Sequence, residues 1–168
     1  MVLEKSVIMP KASRLALWFG TALALVVLDQ ATKAWVSAEL VYAQPNEVFS
    51  WLNITLHHNE GAAFSFLSDA GGWQRYFFTG IAIGVSIVIT VWMTRLKPDE
   101  YWLGWALALV LSGALGNVID RMLLGYVVDF ISVHWKHWYF PTFNIADSCI
   151  TLGAIGLLVD GFKKPSNA

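Results

Sequence analysis

Between Ser112 and Ser148 an otherwise apolar chain places Asn117, Asp120, Arg121, Asp129, Asn144 and Asp147. An ionisable side chain at membrane depth costs about 2.5–3.5 kcal/mol on insertion scales, so polar groups that persist there mark function by default. Asp129 and Asp147 are the pair best suited to chemistry. Two carboxylates held close share a proton, because both cannot readily ionise together. The ionised one can then take a proton from water while the protonated one gives a proton to a carbonyl oxygen. That is the division of labour of an aspartic peptidase. Asp147 sits where a helix should begin, and a helix N-terminus favours negative charge. It is therefore expected to be the charged partner, with Asp129 holding the proton. Asp129, between Val128 and Phe130, reads as a surface strand residue without a local partner.

Other chemistries find less support. Ser148 adjoins Asp147, but nothing in the sequence brings Lys33 to it as the base of a Ser–Lys pair. His57 and His58 are adjacent and should point to opposite faces of a strand, while His134 and His137 sit among aromatics. A zinc site needs three or four converging ligands, and the pattern offers none, so neither a metal nor a cofactor is expected. The single cysteine, Cys149, excludes an intrachain disulfide and reads as packing. Asp29 and Lys33, like Asn117 and Arg121, are spaced i, i+4 and can pair along one helix. Asn144 can cap a helix whose third position is Asp147.

The elements that position these groups follow from composition. Hydrophobic residues make up 57% of the 168 residues and charged residues only 14%, with a net charge of −1. Soluble domains carry about 25% charged residues. The class is therefore a membrane protein of one domain, 1–168, with no case for nucleic acid. Four apolar runs, about 14–35, 73–95, 101–122 and 143–162, each approach the ~20 residues a spanning helix needs. Asp29 and Lys33 lie between the uncharged stretch Leu15–Leu28 and a cleavage-like Val36-Ser37-Ala38, which favours a retained span over a removable leader. Lys and Arg gather in the N-terminal tail, at Arg95 and Lys97, and at Lys163 and Lys164, whereas Ser37 to Gln74 has neither. The positive-inside rule then puts both termini in the cytoplasm and residues 37–72 and 123–142 outside.

Those outer segments carry strand patterns. Leu52, Ile54 and Leu56 alternate with Asn53, Thr55 and His57, and Tyr126 to Val133 is β-branched and aromatic. The fold class expected is an all-α membrane protein with four transmembrane helices, a small extracytoplasmic β-sheet and a short interfacial helix over Ala62–Leu67. Gly61, Gly71 and Gly72 suggest a lid over residues 59–72. Trp73, Tyr76, Trp135, Trp138 and Tyr139 suit an aromatic belt. Gly80 and Gly84, like Ser112 and Gly116, have the small-xxx-small spacing of close helix packing. In this topology Asp29, Lys33, Asn117, Asp120, Arg121, Asp129, Asn144 and Asp147 all fall near the outer face.

Five blocks resemble the lipoprotein signal peptidase (signal peptidase II) family. They are Leu28–Lys33 (LDQATK), Asn59–Ser65 (NEGAAFS), Gly113–Arg121 (GALGNVIDR), Val127–Phe130 (VVDF) and Phe143–Ser148 (FNIADS). The resemblance implies a bacterial inner-membrane aspartyl endopeptidase that removes the signal peptide of diacylglyceryl-modified prolipoproteins, cutting before the lipidated cysteine near the periplasmic face. It puts the catalytic aspartates at Asp129 and Asp147. It implies substrate-binding or supporting roles for Asp29, Lys33, Asn59, Gly61, Asn117, Asp120, Arg121, Asn144 and Ala146. Membrane lipids as surroundings, globomycin as an inhibitor and a monomeric state complete the expectation. The rival reading is a proton-coupled transporter or channel using the same carboxylates. Against it, the polar groups gather at one end of the spans instead of lining a path, and no inverted repeat is visible.

Overall fold

The computed structural model describes residues 9–61 and 73–163. The expected interfacial helix over Ala62–Leu67, and most of the proposed lid, lie outside the described residues.

Four helices are long and apolar enough to cross a membrane. They are α1 (Lys11–Glu39), α2 (Trp73–Arg95), α3 (Tyr101–Leu123) and α4 (Ile145–Lys163). With no water in hydrocarbon to satisfy backbone groups, helices satisfy them internally. α3 is the central helix, and α1, α2 and α4 pack against it. In its apolar window 67% of residues are buried, against 17–22% for the other three, whose remaining faces are left for lipid. One core sits away from the sheet and joins Trp18 of α1 to Met93 of α2 and Leu103 and Leu107 of α3. Gly104 is required there, because a Cβ would overlap the Trp18 indole.

The sheet has four antiparallel strands in the order β1 (Asn46–Phe49), β2 (Leu52–Asn59), β3 (Val127–Trp135) and β4 (Trp138–Tyr139). It packs on the end of α1 through Val36, Leu56, Val128 and Phe130. This explains why α1 runs four residues beyond the expected limit of 35: the extra turn supports the sheet. The hairpin into β4 turns at Lys136, whose φ is 55°. No Asn-Gly pair announces that turn, so the strand escaped sequence reasoning. Trp73, Tyr76, Trp135, Trp138 and Tyr139 are all exposed, as a belt requires.

The small-xxx-small expectation splits. Gly116 packs tightly, its absent Cβ leaving room for Asp29 and Ala146. Gly80 and Gly84 of α2 have nothing within 4 Å of a Cβ position, so the packing expected for that pair does not occur within this chain. Spacing alone does not say which face of a helix meets a neighbour.

Candidate active site

Asp129 is not the surface residue its strand pattern suggests: it is 2% exposed. β3 is covered on both faces over Val127–Phe130, because the strand lies across the helix ends while pairing with β2. The residue also has partners. Asn59 Nδ2 donates to Asp129 Oδ2 at 3.0 Å, and Asn144 Nδ2 donates to Oδ1 at 2.7 Å. Asn59 is itself oriented by Gly61, whose N–H donates to Asn59 Oδ1 at 2.9 Å. Gly61 has φ 100°, a backbone setting that favours glycine.

The chain between β3 and α4 is short and tied down. Phe143 O accepts from the N–H groups of Phe130 and Ile131, and Phe143 N–H returns a bond to Ile131 O at 3.1 Å. These bonds bring the start of α4 against Asp129. Asn144 then caps α4. Asp147 N–H donates to Asn144 Oδ1 at 2.9 Å, and Asn144 N–H donates to Asp147 Oδ2 at 3.3 Å. This reciprocal pair is a capping box with a shorter acid at its third position.

Two amides link the two carboxylates. Asn117 Nδ2 donates to Asp147 Oδ1 at 2.7 Å, and Asn144 Nδ2 reaches both Asp129 and, at 3.2 Å, Asn117 Oδ1. Asp129 and Asp147 thus share one hydrogen-bonded cluster and each other's field. Burial first, and the charge of Asp147 second, push the Asp129 carboxyl up to about 7, against opposition from the Asn59 and Asn144 amides and from Lys33.

Beneath this cluster lies a buried ion triad. Lys33 Nζ is 2.8 Å from Asp29 Oδ2, 2.9 Å from Asp120 Oδ2 and 3.0 Å from Asn117 Oδ1, so its three donors are all used. Lys33 therefore does more than pair along its own helix. The carboxylates extend the frame: Asp29 Oδ1 accepts from Ala146 N–H at 2.9 Å, and Asp120 Oδ2 accepts from Val128 N–H at 3.0 Å. One triad holds α1, α3, β3 and α4 in register. Gln30, absent from the sequence-derived site, bonds Asp120 Oδ1 at 2.8 Å and Gly116 O at 3.2 Å. Its only signal was a polar residue inside a span, next to Asp29.

Arg121 donates to Asn117 O at 3.3 Å and lies 5.8 Å from the Phe78 ring. Ser148 Oγ donates to Asn144 O at 3.0 Å, so it is spent on the helix start. Among the described residues, no three His, Cys, Asp or Glu side chains are grouped as metal ligands would be.

Two openings reach the carboxylates. One of about 380 Å³ is lined by Asp129, Asn59, Glu60, His57 and His58. An apolar one of about 460 Å³ is lined by Asp147, Phe140, Phe143, Thr151 and Leu152. Pro141 and Thr142 border both. A ridge with a carboxylate on each side, bordered by histidines, Asn59 and Glu60 on one and by apolar side chains on the other, suits a bond between a polar segment and an apolar one.

A model of the family described as Signal peptidase (SPase) II matches residues 21–163. The chain is 55% identical over 156 residues to a lipoprotein signal peptidase of Acinetobacter baumannii, covering 90% of this chain and 89% of that one. It is 55% identical over 151 residues to a lipoprotein signal peptidase of Pseudomonas aeruginosa, covering 87% and 88%. A solved bacterial membrane enzyme superposes with TM-score 0.78 at 36% identity, covering 90% of this chain and 91% of the other.

Proposed function

The chain belongs to the signal peptidase II family, and from that premise we propose that it is an aspartic endopeptidase whose catalytic pair is Asp129 and Asp147. It is a multi-pass membrane peptidase. The proposed substrate is a prolipoprotein bearing diacylglycerol on a cysteine, cut just before that cysteine at the extracytoplasmic face of the bacterial inner membrane, with both termini of the enzyme in the cytoplasm. The matched family and relatives carry peptidase names, and the transport alternative has no support among them.

The observation that carries the aspartic reading is the asparagine-bridged pair of carboxylates at the junction of the two openings. In this mechanism ionised Asp147 takes a proton from water as its oxygen attacks the scissile carbonyl carbon. Protonated Asp129 gives its proton to the carbonyl oxygen. The tetrahedral diol then collapses: Asp147 gives its proton to the departing nitrogen, a diol hydroxyl returns a proton to Asp129, and the C–N bond breaks. Asn117 and Asn144 hold the carboxylates in place, and Lys33 with Asp29 and Asp120 fixes the backbone beneath them. Asn59 orients Asp129, while Arg121, bonded to Asn117 O beside the Phe78 ring, is assigned to substrate contact. Globomycin sensitivity and a monomeric state remain part of the proposal.

The test is a gel-shift assay of purified protein on a lipidated prolipoprotein. Asp129→Asn and Asp147→Asn should each reduce turnover by about 10²–10⁴-fold or more, since an amide cannot exchange the proton. Near-normal turnover in either variant removes that residue from the pair.

A further inference from the structure

Arg75 stands where basic residues are scarce. Ser37 to Gln74 has no Lys or Arg, and then Arg75 falls in the first turn of α2. A charged side chain at the edge of a span is costly and persists for a reason. Among the described residues the ion pairs join Lys33 to Asp29 and Asp120, so Arg75 has no carboxylate partner there. One of its N–H groups is spent: Nη2 donates to the Tyr76 hydroxyl at 2.8 Å, and the guanidinium carbon lies 4.6 Å from the Tyr76 ring. The phenol accepts that bond and keeps its own proton to donate.

The turn after α3 leaves room for this guanidinium. Gly125 has φ 91°, and a Cβ there would lie 2.9 Å from Arg75 Nη1. Phe78 follows Arg75 at i+3 and shares its helix face. It packs against Arg121 of α3, whose guanidinium carbon is 5.8 Å from the ring. Both arginines therefore lie on one α2–α3 seam at the outer ends of the spans, and both are half-buried. Arg121 also interacts with the charges of Asp147, Asp129 and Asp120, so it shields an anion at Arg75 from those carboxylates. Around the seam Tyr76, Phe77, Met122 and Leu123 are large, exposed hydrophobic side chains. Guanidinium forks suit the oxygens of a phosphate, and a basic pocket between membrane helices holds an anionic lipid headgroup.

We propose that the outer α2–α3 seam binds one anionic phospholipid. Its phosphate is held by Arg75 and the Tyr76 hydroxyl, with Arg121 behind, and its acyl chains lie on Phe77, Met122 and Leu123. This lipid is distinct from the proposed substrate, whose diacylglyceryl group carries no phosphate. The site does not rest on the peptidase reading.

Two measurements test it on the full-length chain, and neither reads cleavage, so the site and the peptidase reading can fail separately. The first is native mass spectrometry of detergent-purified protein titrated with phosphatidylglycerol, phosphatidylethanolamine or inorganic phosphate. The expected result is one phosphatidylglycerol retained about five- to tenfold better than phosphatidylethanolamine. Arg75→Gln should bring the two lipids level, and Arg75→Lys should restore part of the preference. If wild type holds both lipids alike, or Arg75→Gln keeps the preference, the site is overturned. If inorganic phosphate displaces phosphatidylglycerol, the lipid as occupant is overturned. The second measurement needs no variant. The wild-type melting temperature in nanodiscs should be higher with phosphatidylglycerol than with phosphatidylcholine, and the difference should shrink with added salt. Equal melting temperatures would overturn the proposal even if Arg75→Gln does not fold.

Discussion

At the scale of single residues, the protonation of Asp129 makes the sharpest prediction. Burial and Asp147 hold its carboxyl at about 7 against 3.8 in an unfolded chain. Between those values the folded protein binds a proton that the unfolded chain has released, so stability falls as pH rises across the window. The contribution is full below 3.8 and lost as pH passes through about 7. Thermal melts in detergent should show this slope in wild type and a flatter one in Asp129→Asn. If protonated Asp129 is the acid, kcat/KM should fall on the alkaline side with a midpoint near 7, read as a property of the coupled pair. A flat profile from pH 6 to 9 would remove Asp129 as proton donor. The aspartates were legible because charge is rare in so apolar a chain. The role of Asn144 was legible in part: its cap follows from position, but its bond to Asp129 depends on how β3 crosses the helix ends. Gln30 had no pattern to reveal it.

At the scale of elements, the buried triad is what aligns helix with strand. Lys33→Met leaves Asp29 and Asp120 buried without their cation, an arrangement that costs about 3–5 kcal/mol. It should lower the melting temperature in detergent and abolish activity together. Gly116→Ala acts more narrowly. A Cβ there would lie 2.6 Å from Asp29 Oδ2, pushing the carboxylate away from Ala146 N–H. Losing a hydrogen bond to a charged group is worth about 1.5–3 kcal/mol, and the expected result is a larger drop in kcat/KM than in stability. Equal losses in both would mean that Asp29 serves packing alone. The four helices were legible as apolar runs of the right length, and both long strands as period-two or β-branched stretches. Four features were not. The extra turn of α1 depends on the sheet it supports, β1 is four exposed residues with no alternation to read, β4 depends on a positive φ at Lys136, and the bare face of Gly80 and Gly84 depends on which way α2 turns.

At the scale of the whole molecule, the prediction is topological. Reporter fusions after Lys97 and after Ala168 should be active as cytoplasmic fusions, and those after Gln44 and Lys136 as extracytoplasmic ones. A cytoplasmic signal at Lys136 would separate the sheet from the compartment where the proposed cut is made. One bond reaches across nearly the entire sequence: the carboxylate of Asp29, in the first helix, accepts the N–H of Ala146, at the start of the last. Translation delivers these partners at opposite ends of its course. A nascent chain that has inserted three helices already carries Lys33, Asp29 and Asp120, yet lacks the helix whose first turn brings Asp147. If Asp147 is one of the catalytic pair, hydrolytic competence arrives only when the ribosome has finished the last span.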